Sequence, residues 1–230
     1  FVDLSIDDSA KVYVATLSEK STPNTFDIVL IRYSQTPVYF PIDGLNEKPD
    51  NHFLFYPNKG QILKQGGGLE KDVSFMTMDA YPNVYVSTNR ISYKFVNFDT
   101  LNTANDTTQR IDINLVSSSS TTKPYSFESS QGLVNIFDAA LPNIVTDIPG
   151  YTRYMVPNIY NGIDLHYYSN GNGLKLYYVI KPFSEADPND IKWAINGANS
   201  TSIISNKLEI VGFNTKVTFD TPYVYQVGPS

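Results

Sequence analysis

Hydrophobic and polar positions alternate most clearly over residues 157–193, PNIYNGIDLHYYSNGNGLKLYYVIKPFSEADPNDIKW. The stretch reads as turn, strand, Asn-Gly hairpin, strand, then a loop ending in a short acidic turn. Tight hairpins need positive φ, which the run Asn170-Gly171-Asn172-Gly173 supplies at little steric cost. Elsewhere, short alternating or apolar runs are broken by Gly, Pro, Asn and Asp, the signature of strands joined by turns. The pattern predicts strands over 11–17, 27–33, 72–78, 83–87, 91–98, 110–116, 163–168, 174–180, 202–204, 207–211, 215–219 and 223–226. Ser205-Asn206 is expected to turn a second hairpin, and Gly212-Phe213-Asn214 a third. Long amphipathic helical patterns are absent. Single helical turns are expected over 136–140 and over 187–191, where Asp187 precedes Pro188 in a capping arrangement. The expected fold class is all-β, an antiparallel β-sandwich or barrel-like stack.

Residues 36–61 hold Pro37, Pro41, Pro49 and Pro57 with little periodicity, the mark of a connection. The chain therefore divides into a small N-terminal β-hairpin unit (1–36), a Pro-rich connector (37–56) and a β-sandwich domain (57–230). The Ser/Thr run 117–122 reads as a flexible loop.

At 230 residues, with 41% hydrophobic and 13% aromatic side chains, the chain can bury a real core. Only 17% of residues are charged, so polarity comes from Ser, Thr, Asn and Gln, a profile that suits a secreted β-protein. The net charge of −6, without a Lys/Arg cluster, argues against nucleic-acid partners. With no cysteine, disulfides and thiolate metal sites are excluded. No apolar run reaches the length of a membrane-spanning helix, so membrane insertion is not expected. The chain opens on Phe1 in strand-like sequence, which suggests a processed or excised piece of a longer protein, with its signal peptide already absent.

From PNKGQI (57–62) onward, a series of segments stands in one order. They are DVSFMTMDAYPNVYVSTNRISYKF (72–95), RIDINLV (110–116), VPNIYNGIDLHYYSNGNGLKLYYVIKPFSEADPNDIKWAINGANS (156–200) and KLEIVGFNTKVTFDTPYVYQ (207–226). Together they resemble the large β domain, of the DUF7948 type, that accompanies SBBP β-propeller repeats in bacterial surface and secreted proteins. Residues 7–35, DDSAKVYVATLSEKSTPNTFDIVLIRYSQ, themselves resemble one SBBP repeat, here placed before the domain instead of after it. A single repeat cannot bury its own face, so this segment is expected to pack on the main domain or on another chain. The resemblance implies an extracellular, non-catalytic module of a larger modular protein.

Candidate chemistry is sparse. His166 follows Asp164 by two positions on a strand, which puts both side chains on one face, as base catalysis or a metal site would need. A surface hydrogen bond explains the same spacing. His52 and Asp50 repeat it in the connector. Nucleophile-elbow, phosphate-loop and zinc-helix signatures are absent, and no enzyme activity is expected. Asp164 and Glu209 are the carboxylates considered for glycoside hydrolysis, which pairs acids in space and not in sequence. Oxygen ligands for Ca2+ are offered by Asp187, Asn189 and Asp190, and by Asp3, Asp7 and Asp8. The same residues also serve turns by bonding their own backbone.

Aromatic side chains form the other candidate site. Tyr167, Tyr168, Tyr177 and Tyr178 flank the 170–173 hairpin, and each adjacent pair is expected to place one ring inside and one outside. Exposed rings of this kind stack on sugars. Ser9, Thr100 and Thr107 each follow Asp in a triplet of the sort that carries O-glycans in some secreted proteins. The leading expectation is a non-catalytic structural or adhesion module at the cell surface, contacting neighbouring domains or copies of itself. The alternatives are a carbohydrate-binding module that recognises surface glycans, and a filament subunit completed by strands of the next chain.

Overall fold

The computed structural model describes residues 54–64, 66–78, 82–97, 107–169, 174–181, 185–213 and 216–220, with the backbone of six short strands nearer the ends. Those are β1 (Ser5–Ile6), β2 (Val12–Tyr13), β3 (Leu17–Glu19), β4 (Thr25–Ile28), β5 (Arg32–Tyr33) and, last in the chain, β19 (Tyr225–Gln226). Between them run β6 (Phe55–Pro57), β7 (Val73–Thr77), β8 (Asn83–Ser87), β9 (Arg90–Asn97), β10 (Thr107–Leu115), β11 (Tyr125–Ile136) and β12 (Val145–Tyr160). They are followed by β13 (Ile163–Ser169), β14 (Leu174–Ile180), β15 (Lys192–Asn196), β16 (Ser200–Ile204), β17 (Lys207–Val211) and β18 (Lys216–Phe219).

The protein is all-β. One long sheet runs β14-β13-β12-β6-β7-β8-β9-β10-β15, every neighbour antiparallel. β4 continues it beyond β15, and β3 beyond β4. At the other end β5 lies parallel to β14, and β19 parallel to β5, so the sheet is not wholly antiparallel. β16-β17-β18 form a separate three-stranded sheet.

Period-two alternation builds the core. Val73, Phe75 and Thr77 of β7 are buried, as are Ile91, Tyr93 and Phe95 of β9, and Ile111, Ile113 and Leu115 of β10. β13 adds Ile163, Leu165 and Tyr167, and β15 adds Trp193 and Ile195. The sheet curls on itself. β14 and β15 stand at opposite ends of the nine-strand run, yet the Trp193 indole N–H donates to the Tyr178 hydroxyl at 2.9 Å. The small sheet packs on the curl through Leu208 and Ile210, with the Phe219 ring edge-on to Trp193 at 5.1 Å. Gln109 ties the two sheets: its amide donates to Gly197 O at 2.9 Å and its carbonyl accepts from Phe213 N–H at 2.7 Å. Gly197 has φ +81°, and the Arg110 carbonyl stands where a side chain would begin, so only glycine fits.

The 170–173 tip lies outside the described residues, but β13 and β14 pair in register from Ile163↔Ile180 to Ser169↔Leu174, as the hairpin pattern requires. Ser205 and Asn206 have φ of 51° and 61°, the two consecutive positive values of a type I′ turn between β16 and β17. Asp187 caps a single 3-10 turn at Pro188–Asp190, as its sequence predicts.

Three local expectations change. Residues 136–140 hold no helical turn: Ile136 ends β11, and the Asp138 carboxylate accepts from Ala140 N–H at 2.9 Å to make a reverse turn. The serine run is held by bonds. Ser118 Oγ donates to Leu115 O at 2.7 Å, and Ser119 N–H donates to Ile159 O at 2.8 Å. Phe55, at the end of the Pro-rich stretch, is a fully buried strand residue paired to both Tyr151 and Thr77.

The core is rich in tyrosine. Tyr154 stacks on Tyr167 at 4.8 Å and 11°, and both hydroxyls are buried without a hydrogen-bond partner among the described residues. Leaving a buried hydroxyl unbonded costs about 1–3 kcal/mol. Tyr154→Phe and Tyr167→Phe should therefore each stabilise the fold by about 1 kcal/mol, seen as a higher denaturation midpoint at unchanged m. Tyr178→Phe should destabilise it by a similar amount, because Trp193 loses its acceptor. Destabilisation by all three substitutions would mean that buried water satisfies the first two hydroxyls.

Candidate interaction surface

The hairpin tyrosines take different places from those expected. Tyr178 is buried and Tyr177 half-buried on the opposite face, as alternation requires. Tyr167 and Tyr168 are both buried. Tyr167 points into the core, whereas Tyr168 lies on the outer face beneath its neighbours, its ring 6.0 Å from that of Tyr177. Three of the four rings are thus withdrawn from solvent.

An aromatic surface nonetheless exists, organised across strands. Tyr125, Met155, His166 and Tyr177 form one row over β11, β12, β13 and β14 through the pairs Tyr125↔Met155, Met155↔His166 and His166↔Tyr177. His166 stacks on Tyr177 at 4.7 Å and 14°. The adjoining row is Phe127, Arg153, Tyr168 and Lys175. Arg153 Nε lies 3.2 Å from Glu128 Oε2, an ion pair without hydrogen-bond geometry. Cross-strand packing of this kind stiffens the outer face. At its edge Tyr125 is 56% exposed.

The same edge leads into a long ribbon. β12 carries β13 and β6 on one side and β11 on the other, and β11 pairs with no strand besides β12 among the described residues. The ribbon bends at Glu128 and Asp147, each with φ 57°, and its register shifts between Ser129 and Leu133. One face of its distal half closes a second small core, with Leu141, Val145 and Ile148 against Leu54 and Tyr56. Leu133 on β11, and Phe137 and Ile144 in the connection between β11 and β12, are exposed at 58%, 73% and 63%. Three large apolar side chains thus stand in water at the distal end of the ribbon, with Tyr125 exposed at its other end.

The remaining candidates are placed as follows. Asp187 Oδ1 accepts from both the backbone N–H and the side-chain amide of Asn189 at 2.9 Å, which commits it to the turn that includes Asp190. Among the described residues no cluster of three or more His, Asp or Glu is placed to hold a metal. Glu209 pairs with Lys216 at 2.6 Å on the small sheet, whereas Asp164 lies on β13 of the large sheet. Asp164 is engaged by Lys181 at 2.8 Å and by the Asn158 N–H at 2.6 Å. Thr107 is exposed at the start of β10. Ser9, Thr100, Asp3, Asp7, Asp8, Asp50 and His52 lie outside the described residues. The ionisation shifts fall chiefly on tyrosines. Burial raises the phenols of Tyr93, Tyr154, Tyr160, Tyr167 and Tyr178 above their usual range.

The curled sheet and its small covering sheet define an all-β domain whose β11–β12 ribbon ends in exposed apolar side chains. Residues 55–229 match the family described as Domain of unknown function (DUF7948), and the chain belongs to that family. No curated protein and no solved structure matches it. No helix among the described residues is long and apolar enough to cross a membrane.

Proposed function

We propose that the protein is a non-catalytic extracellular module of a larger surface or secreted protein, with a structural or adhesive role. The β11–β12 ribbon is the surface through which it meets a neighbouring module or another copy of itself. The observation that carries this reading is the exposure of Leu133, Phe137 and Ile144 at the end of a ribbon that also packs a second core. Apolar area withdrawn from water is worth about 25 cal/mol per Å2, so three such side chains can anchor a contact. The likeness of the segments over 57–226 to domains that accompany SBBP repeats supports the cell-surface setting.

Light scattering across a concentration range tests it. The wild-type protein should associate as concentration rises, and Leu133→Ser/Phe137→Ser/Ile144→Ser together should keep it monomeric with an unchanged circular-dichroism spectrum. A wild type that stays monomeric at millimolar concentration overturns copy-to-copy contact through the ribbon. Turnover of a glycan or peptide by the purified chain would overturn the non-catalytic reading. A carbohydrate-binding role would have to use Tyr125 and Tyr177, the members of the outer row that keep access to solvent. A glycan array, run with Ca2+ and with chelator, separates that role from protein contact.

A further inference from the structure

Three side chains meet at one end of β12, β13 and β14: Asn158 on β12, Asp164 near the start of β13, and Lys181 just past β14. The Lys181 ammonium lies 2.7 Å from Asn158 Oδ1 and 2.8 Å from Asp164 Oδ1. That same Asp164 oxygen accepts the Asn158 backbone N–H at 2.6 Å. Asn158 is presented by an irregularity of β12. Its φ is 47°, and the register with β13 shifts between Val156 and Tyr160. Lys181 is presented by its own N–H, which donates to Gly162 O at 2.8 Å just past β14. Asp164 stands between them on β13, its side chain only 13% exposed. The Lys181 amine is therefore held against both the Asn158 carboxamide oxygen and the Asp164 carboxylate, and that carboxylate also holds the Asn158 backbone.

We propose that Lys181 and Asn158 join in an intramolecular isopeptide bond, with Asp164 moving the proton. Asp164 takes a proton from the Lys181 ammonium. The neutral Nζ then attacks Cγ of Asn158, forming the C–N bond of a tetrahedral adduct. Asp164 returns the proton to the former amide nitrogen and takes the second proton from the attacking nitrogen, the old C–N bond breaks, and ammonia leaves with that second proton as ammonium. No oxidant or co-reactant is needed, and the carboxylate ends as it began. Holding two reactants in contact raises their effective concentration by orders of magnitude. Asp164 stands at hydrogen-bond distance of the amine, as removal of its proton requires. Only the neutral amine reacts, so the bond forms faster as pH rises. The product clamps β12 to β14 across β13 over a separation of 23 residues. In a chain without cysteine it does the work of a disulfide. The proposal is independent of the adhesive role.

Intact-mass measurement of the full chain, after incubation for days at mildly alkaline pH, is the test. The wild type should be lighter than its sequence by one ammonia, and its digest should contain a branched peptide joining positions 158 and 181. Lys181→Arg keeps the charge and the donors, so it folds, and it should show the full sequence mass. Asp164→Asn should also stay at full mass. A wild type at sequence mass overturns the proposal. So does an ammonia loss without the branched peptide, since Asn-Gly steps such as Asn161-Gly162 lose ammonia by closing on their own backbone.

Discussion

Raising the pH past about 10 should unfold this protein in one cooperative transition, with phenolate absorbance appearing together with the loss of structure. Tyr93, Tyr154, Tyr160, Tyr167 and Tyr178 all have phenols raised by burial. In the unfolded chain each ionises near pH 10, whereas in the fold each keeps its proton to higher pH. Above pH 10 the folded state binds more protons than the unfolded state, so stability falls as pH rises. Below pH 10 both states are protonated and the groups have no effect. Each tyrosine removes up to about 1.4 kcal/mol per pH unit. Five together remove about 7 kcal/mol per unit, which exhausts an ordinary stability of about 5–15 kcal/mol within one to two units. Circular dichroism and tyrosinate absorbance followed through the same titration would settle it. If all the tyrosines ionised near pH 10 with the β spectrum intact, these phenols would not be buried as described.

Trp193→Ala should be the most damaging single substitution, costing about 3–5 kcal/mol. Trp193 is 1% exposed and is the largest of the fully buried side chains. It touches both sheets, through the Tyr178 hydroxyl at 2.9 Å and the Phe219 ring at 5.1 Å. Its removal leaves a cavity where the curl of the long sheet meets the small one, and the Tyr178 hydroxyl loses its donor. For a domain of this size the melting temperature should fall by on the order of 10 °C. Trp193→Phe keeps most of the bulk and loses the hydrogen bond, so it should cost about 1–2 kcal/mol. Equal, small losses from both substitutions would show that Trp193 does not join the sheets. Thermal melts followed by circular dichroism suit both variants, because Trp193 is the only tryptophan and fluorescence is lost with it.

The candidate contact surface was barely legible in the chain. Leu133, Phe137 and Ile144 fall where alternation is broken, because positive φ at Glu128 and Asp147 and the shifted register disrupt the period of two along β11 and β12. The two longest strands therefore lack a strand signature, although bulges and a Pro at position 149 mark an irregular ribbon. Tyr168 shows the complementary failure. Alternation correctly puts it on the outer face, but whether an outer ring is wet depends on neighbours from β12 and β14, and here Arg153 and Lys175 are its cross-strand partners. The meeting of Lys181, Asn158 and Asp164 was equally hidden, since none of the three belongs to a motif.

Local chemistry determined much of this protein by itself. Ser205 and Asn206 specify the tight turn between β16 and β17, Asp187 and Pro188 specify the short 3-10 turn, and period-two runs specify β7, β8, β13, β14 and β17, because each depends on backbone preference within a few residues. Tertiary structure alone decided which strands are neighbours, how far the sheet curls, and which outer side chains remain in water. Those outcomes depend on contacts between distant segments, such as Phe55 against Thr77 and Tyr151, or Trp193 against Tyr178 across the whole sheet. Burial is a property of the closed surface, and no single strand carries it.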